Sequence, residues 1–236
     1  MTTKINRIPT ALLALACFSF LPIGLAQQPA PAPDAKPRPH LTLRIALADA
    51  RSPLRELVVQ CGEKVFHPAL VNAFQISEAV ALKTMPEQMN FFIKGTEDLG
   101  TAIASIPVPA GVQHALVVLA PNNGDAKPSH QAFLVNEADF PDQSIWFLNG
   151  SQKPVAIQIE AASKSILPGA AQLLRPGHKD GKPFSVQTVF FEKDKWGIFS
   201  STRWVLPVGQ RHLVFFHINP RTQRMDYNSL TDFLSY

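Results

Sequence analysis

From residue 41 onward, apolar and polar positions alternate with a period of two. LTLRIAL sets Leu41, Leu43, Ile45 and Leu47 on one face and Thr42, Arg44 and Ala46 on the other, the pattern of a strand buried on one side. ELVVQ, KVFHP, VNAFQI, AVAL, QMNFFIKG, TAIASIPV and VQHALVVLA follow at short intervals as further candidate strands. PNNGDAKPSH, residues 121–130, interrupts them with two prolines among other turn formers. A second series then runs QAFLVNE, SIWFLNG, PVAIQIE, AQLLRPG, FSVQTVFFE, KWGIFSSTRWVL and RHLVFFHIN. Short strands separated by turn residues predict an all-β fold. The reading is two tandem antiparallel β-sandwich (Ig-like) domains, residues 41–120 and 131–236, with 121–130 as a linker loop. A shared larger sandwich is the other arrangement the pattern allows. The closing YNSLTDFLSY predicts one short helical turn capped by Asn228 or Ser229. No internal repeat is visible in the sequence.

Within the second series, SIWFLNG and PVAIQIE flank Asn149-Gly150, two residues that tolerate positive φ, so a β-hairpin is expected there. Trp146 and Leu148 would share one face of its first strand, and Ile145 and Phe147 the other. Both faces are apolar, as in a strand covered on two sides.

The residues before 41 are of another kind. MTTKINR carries two cations, IPTALLALACFSFLPIGL is apolar, and Gly24-Leu25-Ala26 supplies small residues, which together read as a signal peptide over 1–26. An uncleaved anchor is the second reading of the same segment. Residues 27–40 are proline-rich and form an extended spacer. The chain is thus expected in the periplasm, at the outer membrane or outside the cell. Cleavage would remove Cys17 and leave Cys61 with no partner for an internal disulfide, so stability must come from packing.

Composition agrees: 46% apolar and 17% charged residues suffice for a large core. Of the formal charge of +4, Lys4 and Arg7 belong to the leader, and the remaining +2 gives no argument for nucleic acid. Between Arg175 and Arg224, nine Lys or Arg face three acidic residues. That excess suits contact with an anionic surface, or simply charged strand edges that resist edge-to-edge pairing.

Candidate chemistry is sparse. Trp196 and Trp204 are eight residues apart in WGIFSSTRW, so a regular strand would point both the same way, beside Arg203, as a stacking platform for sugars or as lids on a core. A bulge between them would cancel that shared facing. Trp146 is the third candidate ring. Glu137, Asp139 and Asp142 in NEADFPD could bind calcium, serve a hydrolase as acid and base, or sit as a solvated loop. His212 and His217 fall on opposite faces of one strand, and HExxH, CxxC, GxSxG and GxGxxG are missing, so no catalytic residue, metal or cofactor is assigned.

ADFPDQSIWFLNGSQKPVAIQI and FSSTRWVLPVGQRHLVFF resemble uncharacterised exported bacterial β-sandwich proteins, in which an FP-x-x-S-h-x-h-x-N stretch opens a hairpin and a Trp strand joins an Arg-led strand. The likeness covers mainly residues 131–218 and implies a secreted β-sandwich without lending a catalytic residue. The leading expectation is a non-enzymatic envelope protein that acts as an interaction or scaffold module toward another envelope protein or a glycan. A carbohydrate-binding module, a periplasmic chaperone-like protein and a hydrolase are the alternatives.

Overall fold

The computed structural model describes residues 40–49, 52, 54–63, 65–73, 75–83, 85–97, 101–122, 127–177, 181–192, 195–219 and 222–234. The expected leader and nearly all of the expected spacer, residues 1–39, lie outside them. Sixteen strands follow one another: β1 (Leu41–Leu47), β2 (Glu56–Gln60), β3 (Phe66–Leu70), β4 (Val80–Leu82), β5 (Gln88–Ile93), β6 (Ala104–Pro107), β7 (His114–Pro121), β8 (His130–Asn136), β9 (Ile145–Asn149), β10 (Val155–Ile159), β11 (Ala162–Ile166), β12 (Ala171–Leu174), β13 (Phe184–Glu192), β14 (Lys195–Trp204), β15 (Gln210–Ile218) and β16 (Met225–Phe233). They form four four-stranded sheets ordered β3-β2-β5-β6, β4-β1-β7-β8, β12-β9-β15-β16 and β11-β10-β13-β14. The all-β reading is correct.

The alternation in the sequence explains how the sheets stack. Leu41, Leu43, Ile45 and Leu47 of β1, with Ala115, Val117 and Leu119 of β7, pack against Leu57, Val59, Met89 and Phe91 of the first sheet. The opposite face of β1 and β7, Ala46, Leu116 and Val118, packs against Leu148, Leu213, Phe215 and Leu230 of the third sheet. Ile145, Phe147, Val214 and Phe216 cover the far side of that third sheet and meet Val155, Ile157, Phe184 and Val186 of the fourth. Three apolar layers therefore separate four sheets, and the two middle sheets are buried on both faces. This is why β7 and β9 read as continuous apolar runs.

Strand order carries a repeat that the residues conceal. Adding eight to each strand number converts the order of the first two sheets into that of the last two, including the parallel pairings β1 with β7 and β9 with β15. The described residues form two topologically identical eight-stranded sandwiches, packed through their equivalent sheets within one compact unit. The expected division at 121–130 falls inside an antiparallel β7–β8 hairpin. The chain passes from one sandwich to the other at residues 137–144, through a 3-10 turn at Glu137–Asp139. Proline and turn formers mark a long hairpin loop as readily as a linker, and composition cannot tell the two apart.

Three further local expectations change, and one strand was unforeseen. The described residues of VNAFQI form no strand and contribute a bridge from Ile76 to Ala46. The segment at the carboxyl end is not helical but the strand β16, paired with β15 over nine residue pairs, so a long ladder overrides local turn preference. β11, ASKSI, lacked enough apolar residues to be foreseen. The Asn149-Gly150 hairpin does not form either: β9 and β10 lie in different sheets, and the loop between them crosses the second sandwich.

That crossing is built around two residues. The fully buried Asn149 amide donates to the carbonyl oxygens of Lys153 (2.9 Å) and Ile166 (3.0 Å) and accepts from the Ser151 backbone N–H (3.0 Å) and hydroxyl (2.6 Å). Gly150 is required for its size: a Cβ there would stand 2.1 Å from Cζ of Phe215. Gly150→Ala is expected to destabilise the fold by about 1–3 kcal/mol through overpacking, seen as a lower urea midpoint, and an unchanged midpoint would refute the packing account.

Charge closes the interface between the sandwiches at one end. Arg44 of β1 forks onto Glu137 (2.9 and 2.6 Å) and onto Asp232 of β16 (2.7 and 2.7 Å). Arg211 of β15 reaches the same two carboxylates, at 2.7 Å to Asp232 and 2.5 Å to Glu137, and its guanidinium lies 4.4 Å from the Phe140 ring centre. Burial alone would raise both carboxyl pKa values. The hydrogen bonds and charge of Arg44 and Arg211 outweigh it and hold both below the ordinary range. In the unfolded chain these groups titrate near pH 4, so on acidification the unfolded state takes up protons first and stability falls. The ring's contribution is expected to be complete above about pH 5 and lost as pH drops below about 4. Urea midpoints measured against pH should show this fall, with a shallower slope in Asp232→Asn; equal slopes would contradict it.

Candidate interaction surfaces

β13 and β14 are long, aromatic-rich and antiparallel, and the fourth sheet ends at β14. Their register breaks between Thr188 and Val189: Thr188 pairs with Ser200 and Val189 with Ile198, which leaves Phe199 as the extra residue of a bulge. The two indoles expected on one face are therefore on opposite faces.

Trp196 points outward, with Phe191 opposite it at 5.4 Å between ring centres in an edge-to-face pair, and Ile198 beside it. Their exposures are 43% for Trp196, 36% for Phe191 and 63% for Ile198. Arg203 and Lys195 are also exposed along this strand. Trp204 points inward, half-buried, and stacks on Phe147 of the second sandwich's core at 6.2 Å. Trp146 packs edge-on to Phe140 at 5.8 Å beside the central apolar layer, and its buried indole Nε1 finds no hydrogen-bond partner among the described residues. Of the three rings, Trp196 is the exposed one.

The acidic trio has internal partners. Glu137 belongs to the ring of charges described above. Asp139 accepts a hydrogen bond from the Asn136 side chain at 2.9 Å, and Asp142 accepts from the Gly209 N–H at 3.0 Å. No group of three or more His, Cys, Asp or Glu residues is arranged to hold a metal among the described residues. Cys61 lies buried at the start of the β2–β3 turn, and burial pushes its thiol pKa up to about 11.

A second feature escaped the sequence reading. On the inner side of β14, Trp204 and Val205 combine with His212 of β15 and with Tyr227 and Ser229 of β16 around a hollow of about 310 Å³. The signal for it was there in part, because Ser229 and Thr231 are polar residues at inward positions of an edge strand. They became readable only with the β15–β16 register, which pairs them with Val214 and His212.

No protein-family model and no curated protein matches the chain. Among solved structures it is similar to a "putative cell adhesion protein" from Bacteroides eggerthii, at 8% identity and a TM-score of 0.24 over 85% of this chain and 98% of that one. A protein of the same description from Bacteroides ovatus gives 6% identity and a TM-score of 0.25, over 86% of this chain and 99% of that one. Likeness at that level transfers no function to this chain.

The placement of the rings has a direct spectroscopic consequence. Trp196 should supply most of the acrylamide-quenchable fluorescence, so Trp196→Phe should leave an emission that is bluer and markedly less quenched. A quenching constant equal to the wild type's would place another indole at the surface.

Proposed function

We propose that this chain is an exported, non-enzymatic interaction module of the cell envelope, a rigid double sandwich that offers its outer faces to another envelope protein or a glycan. The observation that carries the reading is the cluster of Phe191, Trp196 and Ile198 on the outer face of the fourth sheet. Three large apolar side chains held in water by one hairpin contribute little to folding, and aromatic anchors of this kind supply much of the free energy of binding where they meet a partner. Lys195 and Arg203 lie along the same strand and would favour an anionic surface. The outer sheet of the first sandwich bears its own exposed apolar residues, Phe66 and Leu70, with Phe66 edge-on to Phe92 at 6.3 Å. Sticky faces at both ends of one body suit a scaffold.

Placement in the envelope rests on the expected leader and spacer at residues 1–40. The chaperone-like reading draws on β14 as a ten-residue edge strand but requires a partner strand. A hydrolase built on Glu137 has less support, because both oxygens of that carboxylate are held by guanidinium groups.

Replacing Trp196 and Ile198 together by Asp should lower co-sedimentation of the protein with outer-membrane vesicles of its source by at least about tenfold, the effect of losing one anchor residue. Circular dichroism should show the strand content unchanged. Equal sedimentation of the variant and the wild type would sink the proposal.

A further inference from the structure

β14 and β16 are edges of facing sheets, and both lie on the same side of the second sandwich, since Phe199 of β14 meets Tyr227 of β16 edge-to-face at 5.7 Å. The register assigns their inward positions. Ser200, Thr202 and Trp204 pair with Thr188, Val186 and Phe184 of the core face. Tyr227, Ser229 and Thr231 pair with Phe216, Val214 and His212. Four of these six inward residues are hydroxyl-bearing Ser or Thr, and all six keep some exposure. Such a lining is wasteful in a closed sandwich, where apolar side chains would exclude water from the same positions. It is useful in an open-sided groove.

The hollow at one end of this groove has a definite chemical character. Trp204 and Tyr227 supply aromatic surface, Ser229 a hydroxyl and Val205 an apolar rim. His212 touches Trp204 at 5.9 Å between ring centres. Its Nδ1 lies 3.4 Å from the Thr231 hydroxyl, whereas its Nε2 is buried and has no hydrogen-bond partner among the described residues. Among the described residues no Asp, Glu, Lys or Arg lines the hollow, and burial pushes the His212 pKa down, which favours the neutral imidazole. An ionic ligand would find no counter-charge here. The volume, about 310 Å³, is at the small end for ligand sites and matches one ring rather than a chain.

We infer that this hollow binds a single neutral pyranose unit of a glycan, its C–H face against Trp204 and Tyr227 and a hydroxyl on Ser229 Oγ. Aromatic faces suit the apolar side of a sugar ring, and the exposed Ser229 hydroxyl suits its rim. The site lies on the inner side of β14, away from Trp196, and so is separate from the outer-face surface proposed above.

The test is a titration of the ¹⁵N-labelled protein, followed by its tryptophan indole N–H signals. The probes are the methyl β-glycosides of glucose, galactose, mannose and N-acetylglucosamine. At least one should shift the Trp204 signal saturably with a millimolar Kd while the Trp196 signal stays in place. Ser229→Arg, on the exposed edge strand, should abolish the shift. Trp196→Asp should leave it intact, which separates this site from the outer face even if that face binds nothing. No saturable shift of Trp204 with any of the four probes, or a shift that survives Ser229→Arg, overturns the inference. Backbone assignment identifies the Trp204 signal, so the experiment does not depend on a Trp204 variant folding.

Discussion

The layer between the two sandwiches determines what the rest of the molecule can do. Two sheets of equivalent strand order meet face to face through Ala46, Leu116, Val118, Leu148, Leu213 and Phe215. A face so apolar would not survive in water, and this one is removed from it only because a second copy of the same topology stands opposite. Buried on both sides, the middle sheets have no surface to offer except their edges. The outer faces of the first and fourth sheets are left for partners, together with the open sides between facing edges.

An apolar interface alone leaves its register loosely defined, because dispersion and area burial favour many similar packings. The ring formed by Arg44, Glu137, Arg211 and Asp232 removes that freedom. Each guanidinium reaches both carboxylates, so sliding one sandwich past the other by a residue would strand charges with little water to solvate them. Desolvation offsets much of what such a ring contributes to stability. Its main role is to fix geometry. Phe140 serves the same end: its ring contacts the Arg211 guanidinium and forms an edge-to-face pair with Trp146, and its backbone carbonyl accepts a hydrogen bond from Arg211. The FP-x-x-S-h-x-h-x-N stretch noted in the sequence is thereby the passage between the two sandwiches. It ends in Asn149, whose amide holds the next crossing, and it does not open a hairpin.

Much of the strand content was legible because burial imposes period-two alternation on every strand that faces water or a neighbour on one side. The assignment of faces within β9 was legible as well, with Trp146 and Leu148 toward the central layer and Ile145 and Phe147 toward the second core. Pairing was not. Asn149-Gly150 signals a turn, but whether the turn joins neighbours in one sheet or spans two sheets depends on which strands lie alongside, and that information sits at residues 171–174 and 210–218. The repeat was hidden for a related reason. Topology constrains only where apolar side chains recur, so two halves can share a strand order while conserving scarcely a residue between them.

The bulge at Phe199 has the largest consequence for the surface of the second sandwich. Without it, ten residues of β14 would present Trp196 and Trp204 to one side, and the strand would serve either the core or the solvent. One inserted residue reverses the facing partway along. The carboxyl-terminal half of β14 sends Ser200, Thr202 and Trp204 inward, while its amino-terminal half turns Trp196 and Ile198 out to water. Because the side-chain period is two, no substitution within a regular ladder could achieve this; a change of register is the only local device that lets one edge strand build two unlike surfaces. The same insertion sets Phe199 against both Phe190 and Tyr227, so the residue that breaks the pairing also fills the space beneath it and holds the edge strands of the two sheets at a fixed separation.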